Sequence, residues 1–317
     1  MGESSSYRSR KCGSSESVGI SASMKILLIG KTGQLGRAIL KVPGSHVLVA
    51  PDRPELDITS REQIHAAMAR HRPDVVINTA AFHNVPLCED RFEDAFRVNC
   101  AAVRDLARAC ESAGSLFVTF STDYVFDGLR GTPYTEDDRP APLQMYGLSK
   151  VAGEFYALSA APSRSVVIRT CGLYGISGAR SKGGNFVDNR LRDAQKVRVL
   201  EMTCEQSVSP TFTGDLAPAV MALIRNPRLS SGIYHLVNEG GCTWYEFTKA
   251  IFETTGVDIE VRPIDRGGRT GEMRRPLYSV LANTKAKRMG IALPHWKVGL
   301  SNYLRERSGN YRPGPSA

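Results

Sequence analysis

Met24–Leu40, MKILLIGKTGQLGRAIL, is the stretch that most narrows what this chain can fold into. A short apolar run, Ile26–Ile29, stops at Gly30; Gly33 and Gly36 follow, and an amphipathic pattern resumes at once. An apolar run of that length closed by glycine reads as a fully buried strand of a parallel sheet. Each glycine then has its own task. Gly30 lets the chain reverse, Gly33 lets a pyrophosphate approach bare backbone, and Gly36 lets the next helix lie close on the strand. Three glycines at this spacing are unspecific alone. The flanking strand and helix turn them into a dinucleotide-binding signature.

The rest of the chain continues a β–α alternation. His46–Ala50, Asp74–Asn78, Leu116–Phe120 and Val166–Arg169 read as strands, and Tyr234–Val237 as a later one. Helices are expected from a capping box at Thr59–Glu62 to His71, over Glu93–Ala113 with Gly114 as its stop, and from Met145 to Ser159. Further helices are expected over Phe186–Ala194, Asp215–Arg225 and Tyr245–Thr255, and a short strand over Arg198–Glu201. The fold class that follows is α/β: a Rossmann-type doubly wound parallel sheet with a smaller C-terminal α/β substrate-binding lobe. Residues 1–23, rich in Ser and Gly, read as a disordered extension. Residues 24–170 form the dinucleotide-binding domain. Residues 171–317 form mainly the second lobe, with segments returning to the first.

Net charge is +9, yet the basic residues are scattered rather than clustered. That disfavours a nucleic-acid face and suits an anionic small molecule. No apolar run reaches membrane-span length, so no membrane partner is expected. The seven cysteines show no C-x-x-C pair and no His/Cys ligand spacing. Buried thiols in a reducing, cytoplasmic compartment are expected, and no metal.

The polar residues at strand ends carry the chemistry. Ser121, Thr122 and Asp123 follow the fourth strand, where ligands of open α/β sheets bind. Tyr146 and Lys150 are one helical turn apart and share a face. An ammonium group beside a phenol favours the phenolate, so the spacing predicts a tyrosine tuned for proton exchange. Asp52 and Arg53 end the second strand. An acid there suits the ribose of NAD and a base the 2′-phosphate of NADP, so the pair leaves both open; Lys31 and Arg37 tilt the reading toward NADPH, with NADH the alternative.

GKTGQLG (Gly30–Gly36), STDYVFDG (Ser121–Gly128), YGLSKVAGE (Tyr146–Glu154), RTCGLYG (Arg169–Gly175), GGNF (Gly183–Phe186), SPTFTGDLA (Ser209–Ala217), IYHLVN (Ile233–Asn238), RRPLYSVLANTK (Arg274–Lys285) and ALPHW (Ala292–Trp296) together resemble the extended short-chain dehydrogenase/reductases. Within that group the chain is similar to the dTDP-4-dehydrorhamnose reductase family. The resemblance implies NADPH-dependent reduction of the 4-keto group of a nucleotide-linked 6-deoxysugar. Tyr146 would protonate the sugar oxygen with help from Thr122, and Lys150 would hold the nicotinamide ribose and depress the tyrosine pKa. Gly33, Gln34 and Leu35 would line the pyrophosphate. Asp52, Asp57 and Ile58 would lie near the adenosine half, and Ala80, Ala81 and Phe82 along the cofactor. Thr122, Asp123, Asn185, Arg275 and Ser279 would meet the substrate. Gly172 stands where the family commonly has a sugar-contacting tryptophan, and Phe82 where a histidine is often seen. The magnesium-binding acidic residues of some relatives have no matched positions here. A homodimer is compatible with the resemblance. Two other readings share the scaffold: a non-catalytic NADP-binding regulatory subunit like that of methionine adenosyltransferase, and a nucleotide-sugar epimerase.

Overall fold

The computed structural model describes residues 23–178, 183–270 and 273–309. Apart from Ser23, the expected N-terminal extension lies outside these residues. Six parallel strands form one sheet: β1 (Lys25–Ile29), β2 (Val47–Val49), β3 (Val75–Asn78), β4 (Leu116–Thr122), β5 (Ser165–Thr170) and β6 (Gly232–His235). Their order is β6-β5-β4-β3-β1-β2. The order reverses between β1 and β3, so a crevice opens beyond the carboxyl ends of those two strands.

Strand pleating explains why the sheet buries both faces. Ile26 and Leu28 point to one side, where Leu35, Ile39, Leu216, Val220 and Ile224 meet them from helices Gln34–Leu40 and Thr213–Arg225. Leu27 and Ile29 point to the other, against Ile64, Met68, Val103, Leu106 and Ala157. Burial on both sides removes any alternation of polar and apolar residues from the strand sequences. The β6 strand and the Thr213–Arg225 helix come from beyond residue 171 yet complete this domain.

Helix ends follow local chemistry, with three departures from expectation. Ser60, not Thr59, caps the Arg61–His71 helix, accepting from Gln63 N–H at 3.3 Å, while Thr59 bonds Asp57 instead. The expected Glu93–Ala113 helix is broken into Phe92–Phe96, a π-helical turn at Arg97–Ala101, and Ala102–Ala113, ended by left-handed Gly114. A helix at Trp296–Arg307 stands where no element was expected.

The second lobe is built from short strand pairs and an aromatic core. Val199–Thr203 pairs with Glu260–Ile264, and Leu173–Tyr174 with Thr211–Phe212. Tyr174, Phe212, Phe247, Trp296 and Tyr303 pack edge to face and stacked, with ring centroids 5.3–5.8 Å apart. The six described cysteines are all free, and five of them are buried. No described helix is long and apolar enough to cross a membrane.

His235, at the end of β6, is wholly buried against the Phe126 ring. Burial and the nearby Arg169 guanidinium hold its imidazole down to about 3. The folded state therefore keeps it neutral while the unfolded chain protonates near pH 6.5. Its contribution is whole above pH 6.5 and is lost as pH falls from there toward about 3. Between pH 7 and 5 this one group should remove roughly 2 kcal/mol of stability. Urea midpoints measured across that range should fall less steeply for His235→Leu than for the wild type; equal slopes would refute the assignment.

Candidate active site

The glycine turn after β1 opens the crevice. Gly33 N–H donates to Gly30 O at 3.0 Å, closing a tight turn, and Gly30 sits at φ +86°. A Cβ on Gly30 would lie 2.5 Å from Thr79 Oγ1, and one on Gly36 2.3 Å from Gly30 O. Both positions must therefore stay bare. A Cβ on Gly33 would meet nothing nearer than Gly30 O at 3.4 Å. Its open side is a place where a ligand can lie on backbone. No side chain caps the Gln34–Leu40 helix, so its first N–H groups remain available to an anion.

At the end of β2, Lys31 Nζ lies 3.0 Å from Asp52, and Arg53 lies 3.5 Å from Asp57. Two cations thus stand beside the two acids. Thr59 N–H and hydroxyl bonds hold the Asp57 carboxyl below the usual range. The Ile58 side chain is buried in the core under the Arg61–His71 helix. Leu35 is likewise a core residue. Any contact these two make with a cofactor comes from backbone. Gln34 Nε2 donates to Leu173 O at 3.4 Å, and its buried Oε1 has no partner.

Beyond β3, Thr79 Oγ1 donates to Ile29 O at 2.8 Å and pins Ala80, Ala81 and Phe82 beside the glycine turn. Asn99 does the rest. Its Oδ1 accepts from Phe82 N–H at 2.9 Å, and its Nδ2 donates to Phe82 O at 2.9 Å and to Ser149 Oγ at 3.0 Å. The π turn gives Asn99 this reach, and its own carbonyl would lie 2.1 Å from a Cβ on Gly153. Sequence reading missed Asn99, although an unbroken helical pattern with an inward amide was a usable signal.

Thr122 ends β4, and Tyr146 and Lys150 lie on the Met145–Ala160 helix that packs across it. Gly147 allows the close approach, since a Cβ there would fall 2.1 Å from Tyr124 O. The phenol of Tyr146 lies beside the Thr122 hydroxyl. Thr122 Oγ1 also donates to Asp123 Oδ1 at 3.0 Å and accepts from Tyr124 N–H at 3.2 Å. Burial raises the Tyr146 phenol above its ordinary range, and the Asp123 carboxyl adds to the effect. This corrects the expectation that Lys150 depresses it. Lys150 is itself desolvated, which lowers its ammonium to about 8, while Glu154 one turn away opposes the shift. Tyr146 therefore stays protonated at neutral pH, the form a proton donor needs.

The C-terminal lobe reaches this point through two side chains. Ser279 Oγ donates to Asp123 Oδ2 at 2.6 Å, and Arg275 Nη1 donates to the Tyr124 hydroxyl at 3.0 Å. Burial raises Asp123 and pushes Tyr124 up to about 12. Arg275 Nε is buried with no partner, a donor suited to an anionic ligand. Tyr124 was not singled out by sequence, although it sits inside the STDYVFDG motif. Asn185 departs from its expected place against substrate. Its side chain caps the Phe186–Asp193 helix through Asp188 N–H at 2.9 Å and donates to Gly175 O and the Tyr303 hydroxyl, each at 2.9 Å. Those bonds commit it to the second lobe's own packing.

Among the described residues no His, Cys, Asp or Glu group is arranged to hold a metal ion. The glycine turn lies at a topological switch, with Thr122, Tyr146 and Lys150 gathered at the next strand end but one. Residues 24–308 match the family described as RmlD substrate binding domain. The chain is 36% identical over 287 residues to the spore coat polysaccharide biosynthesis protein SpsK of Bacillus subtilis, covering 90% of this chain and 98% of that one. It is 36% identical over 300 residues to the dTDP-4-dehydrorhamnose reductase of Streptomyces griseus, covering 91% and 97%. Among solved structures, the dTDP-4-dehydrorhamnose reductase of Bacillus anthracis in complex with NADP superposes with a TM-score of 0.83 at 30% identity, covering 90% of this chain and 99% of that one. An orthologue of the same reductase from Clostridium acetobutylicum gives 0.83 at 34%, covering 90% and 100%. By sequence and architecture, the chain belongs to the RmlD substrate binding domain family.

Proposed function

We propose that this protein uses NADPH to reduce the 4-keto group of dTDP-4-dehydrorhamnose, a step toward dTDP-rhamnose. The observation that carries the reading is the placing of Thr122 at a strand end beside Tyr146, with Lys150 buried one turn along the Tyr146 helix. Relatives of 36% identity named for this reaction, or for polysaccharide biosynthesis, support it. The bare backbone at Gly33 and the uncapped helix start fit a pyrophosphate. Lys31 and Arg53 would neutralise a 2′-phosphate that Asp52 alone would repel. Bound NADPH would supply the hydride to the sugar carbon.

The protein's own part is binding, orientation and proton delivery. Tyr146 gives its proton to the sugar oxygen as negative charge develops there. Thr122 offers its hydroxyl beside the phenol, and Lys150 lies one turn along the same helix. Asp123, bonded by Thr122 and Ser279, keeps Thr122 from rotating. Arg275 offers its free Nε to the diphosphate of the substrate.

Absorbance at the NADPH band, followed with dTDP-4-dehydrorhamnose, tests the reading. Stoichiometric loss of NADPH with formation of dTDP-rhamnose is the expected result. Binding of both ligands without turnover would point to a regulatory subunit. Sugar interconversion with no net loss of NADPH would point to an epimerase.

A further inference from the structure

Beyond Thr170, which pairs with Thr122 across β5 and β4, the chain turns at Gly172 with φ +55°. Gly172 therefore stands one strand over from Thr122, about 5 Å sideways, and two residues further out. Cys171 before it packs with Val125 and Phe126, just past Asp123, so this turn belongs to the same crevice wall. A Cβ on Gly172 would meet Pro210 Cα at 3.2 Å and Trp244 Cη2 at 3.4 Å. The bare glycine leaves the indole edge as the nearest side chain over the turn.

Trp244 is held rigidly. It is the first residue of the Trp244–Thr255 helix, whose capping box joins Thr243 and Glu246 in both directions, at 2.8 and 3.1 Å. Phe186 stacks behind the indole, centroids 4.5 Å apart at 32°. The ring packs on the aromatic core of the second lobe and also on the strand-end cluster of Val125, Phe126 and Cys171. Yet it remains half-buried, whereas Trp296, the chain's other tryptophan, is 4% exposed. A partly exposed, pre-ordered indole at the seam between lobes, packed against Val125 and Phe126 just past Thr122 and Asp123, is a surface for an apolar ligand face.

We propose that Trp244, backed by Phe186, is the wall on which the sugar ring of the nucleotide sugar packs, and that it selects a 6-deoxysugar over its 6-hydroxy counterpart. The inference rests on the reductase reading. A 6-deoxyhexose presents ring C–H bonds and a methyl group, and an indole buries them without leaving a hydroxyl unpaired. One methyl group in such a contact discriminates by about 10- to 200-fold.

Acrylamide quenching of the unmodified protein in saturating NADP+ tests this directly, since the quencher reaches Trp244 and not buried Trp296. dTDP-rhamnose should shield the accessible emission, and dTDP should not. Trp244→Ala should raise KM about tenfold or more with kcat little changed, and should erase most of the 6-deoxy preference, which Trp244→Phe should partly restore. If dTDP-rhamnose raises the unfolding temperature but leaves quenching unchanged, the Trp244 assignment is overturned and the reductase reading stands. If no dTDP-sugar shifts the unfolding temperature, both are overturned.

Discussion

Tyr146→Phe is expected to lower kcat about 10²- to 10⁴-fold, the usual worth of a positioned proton donor. The phenol is desolvated and raised above its ordinary range, so it holds its proton throughout the neutral region. Removing the hydroxyl leaves the ring, the helix and the NADPH cradle in place. Affinity for NADP+ should therefore stay within a few-fold of the wild type, and the loss should fall on kcat. The pH profile gives a second check. Lys150, lowered to about 8 by burial, should impose a titration near pH 8 on kcat/KM. That titration should survive in Tyr146→Phe, because it belongs to the lysine. A variant with unchanged kcat would remove Tyr146 from the chemistry altogether.

The second large effect is on stability. Arg169 and Glu154 form a bidentate pair, with Nε–Oε1 at 2.9 Å and Nη2–Oε2 at 2.7 Å. Both side chains are almost wholly buried, and the guanidinium also lies over the Phe126 ring at 5.1 Å. Removing one partner leaves an uncompensated charge in the core. Glu154→Leu should therefore lose about 3–5 kcal/mol. Removing both is a different matter, because no charge is then stranded. Glu154→Leu with Arg169→Met should recover most of the loss, as equilibrium urea unfolding would read. If the double variant is as unstable as the single one, the pair does not act as a stranded-charge trap. Glu154 also raises the Lys150 pKa through space, so the single variant should shift the titration near pH 8 downward.

The glycine turn and its neighbouring elements were legible because their causes are local. Ile26–Ile29 must be a buried strand by composition, and Gly30 and Gly36 are bare because adjacent backbone occupies the space their side chains would take. Tyr146 and Lys150 share a helix face by periodicity alone. The π turn at Arg97–Ala101 was not legible, since it exists to aim Asn99 at Phe82 and Ser149, residues distant in sequence. Asn185 looked like a ligand residue in its motif, yet its amide is committed to a helix cap and to Tyr303. The Trp296–Arg307 helix carried a fair signal in Trp296, Leu300 and Tyr303, which the surrounding basic residues obscured.

What the amino-acid order determined, without help, is the α/β alternation, the cofactor turn and the Thr–Tyr–Lys set, because each depends on backbone rules acting over a few residues. The tertiary structure alone decided how those groups titrate and what surrounds them. Desolvation and the Asp123 carboxyl raise Tyr146, and Ser279 and Arg275 reach Asp123 and Tyr124, beside Thr122, from the far end of the chain. Charge state and enclosure are set by everything within a few ångströms, and sequence distance says nothing about that.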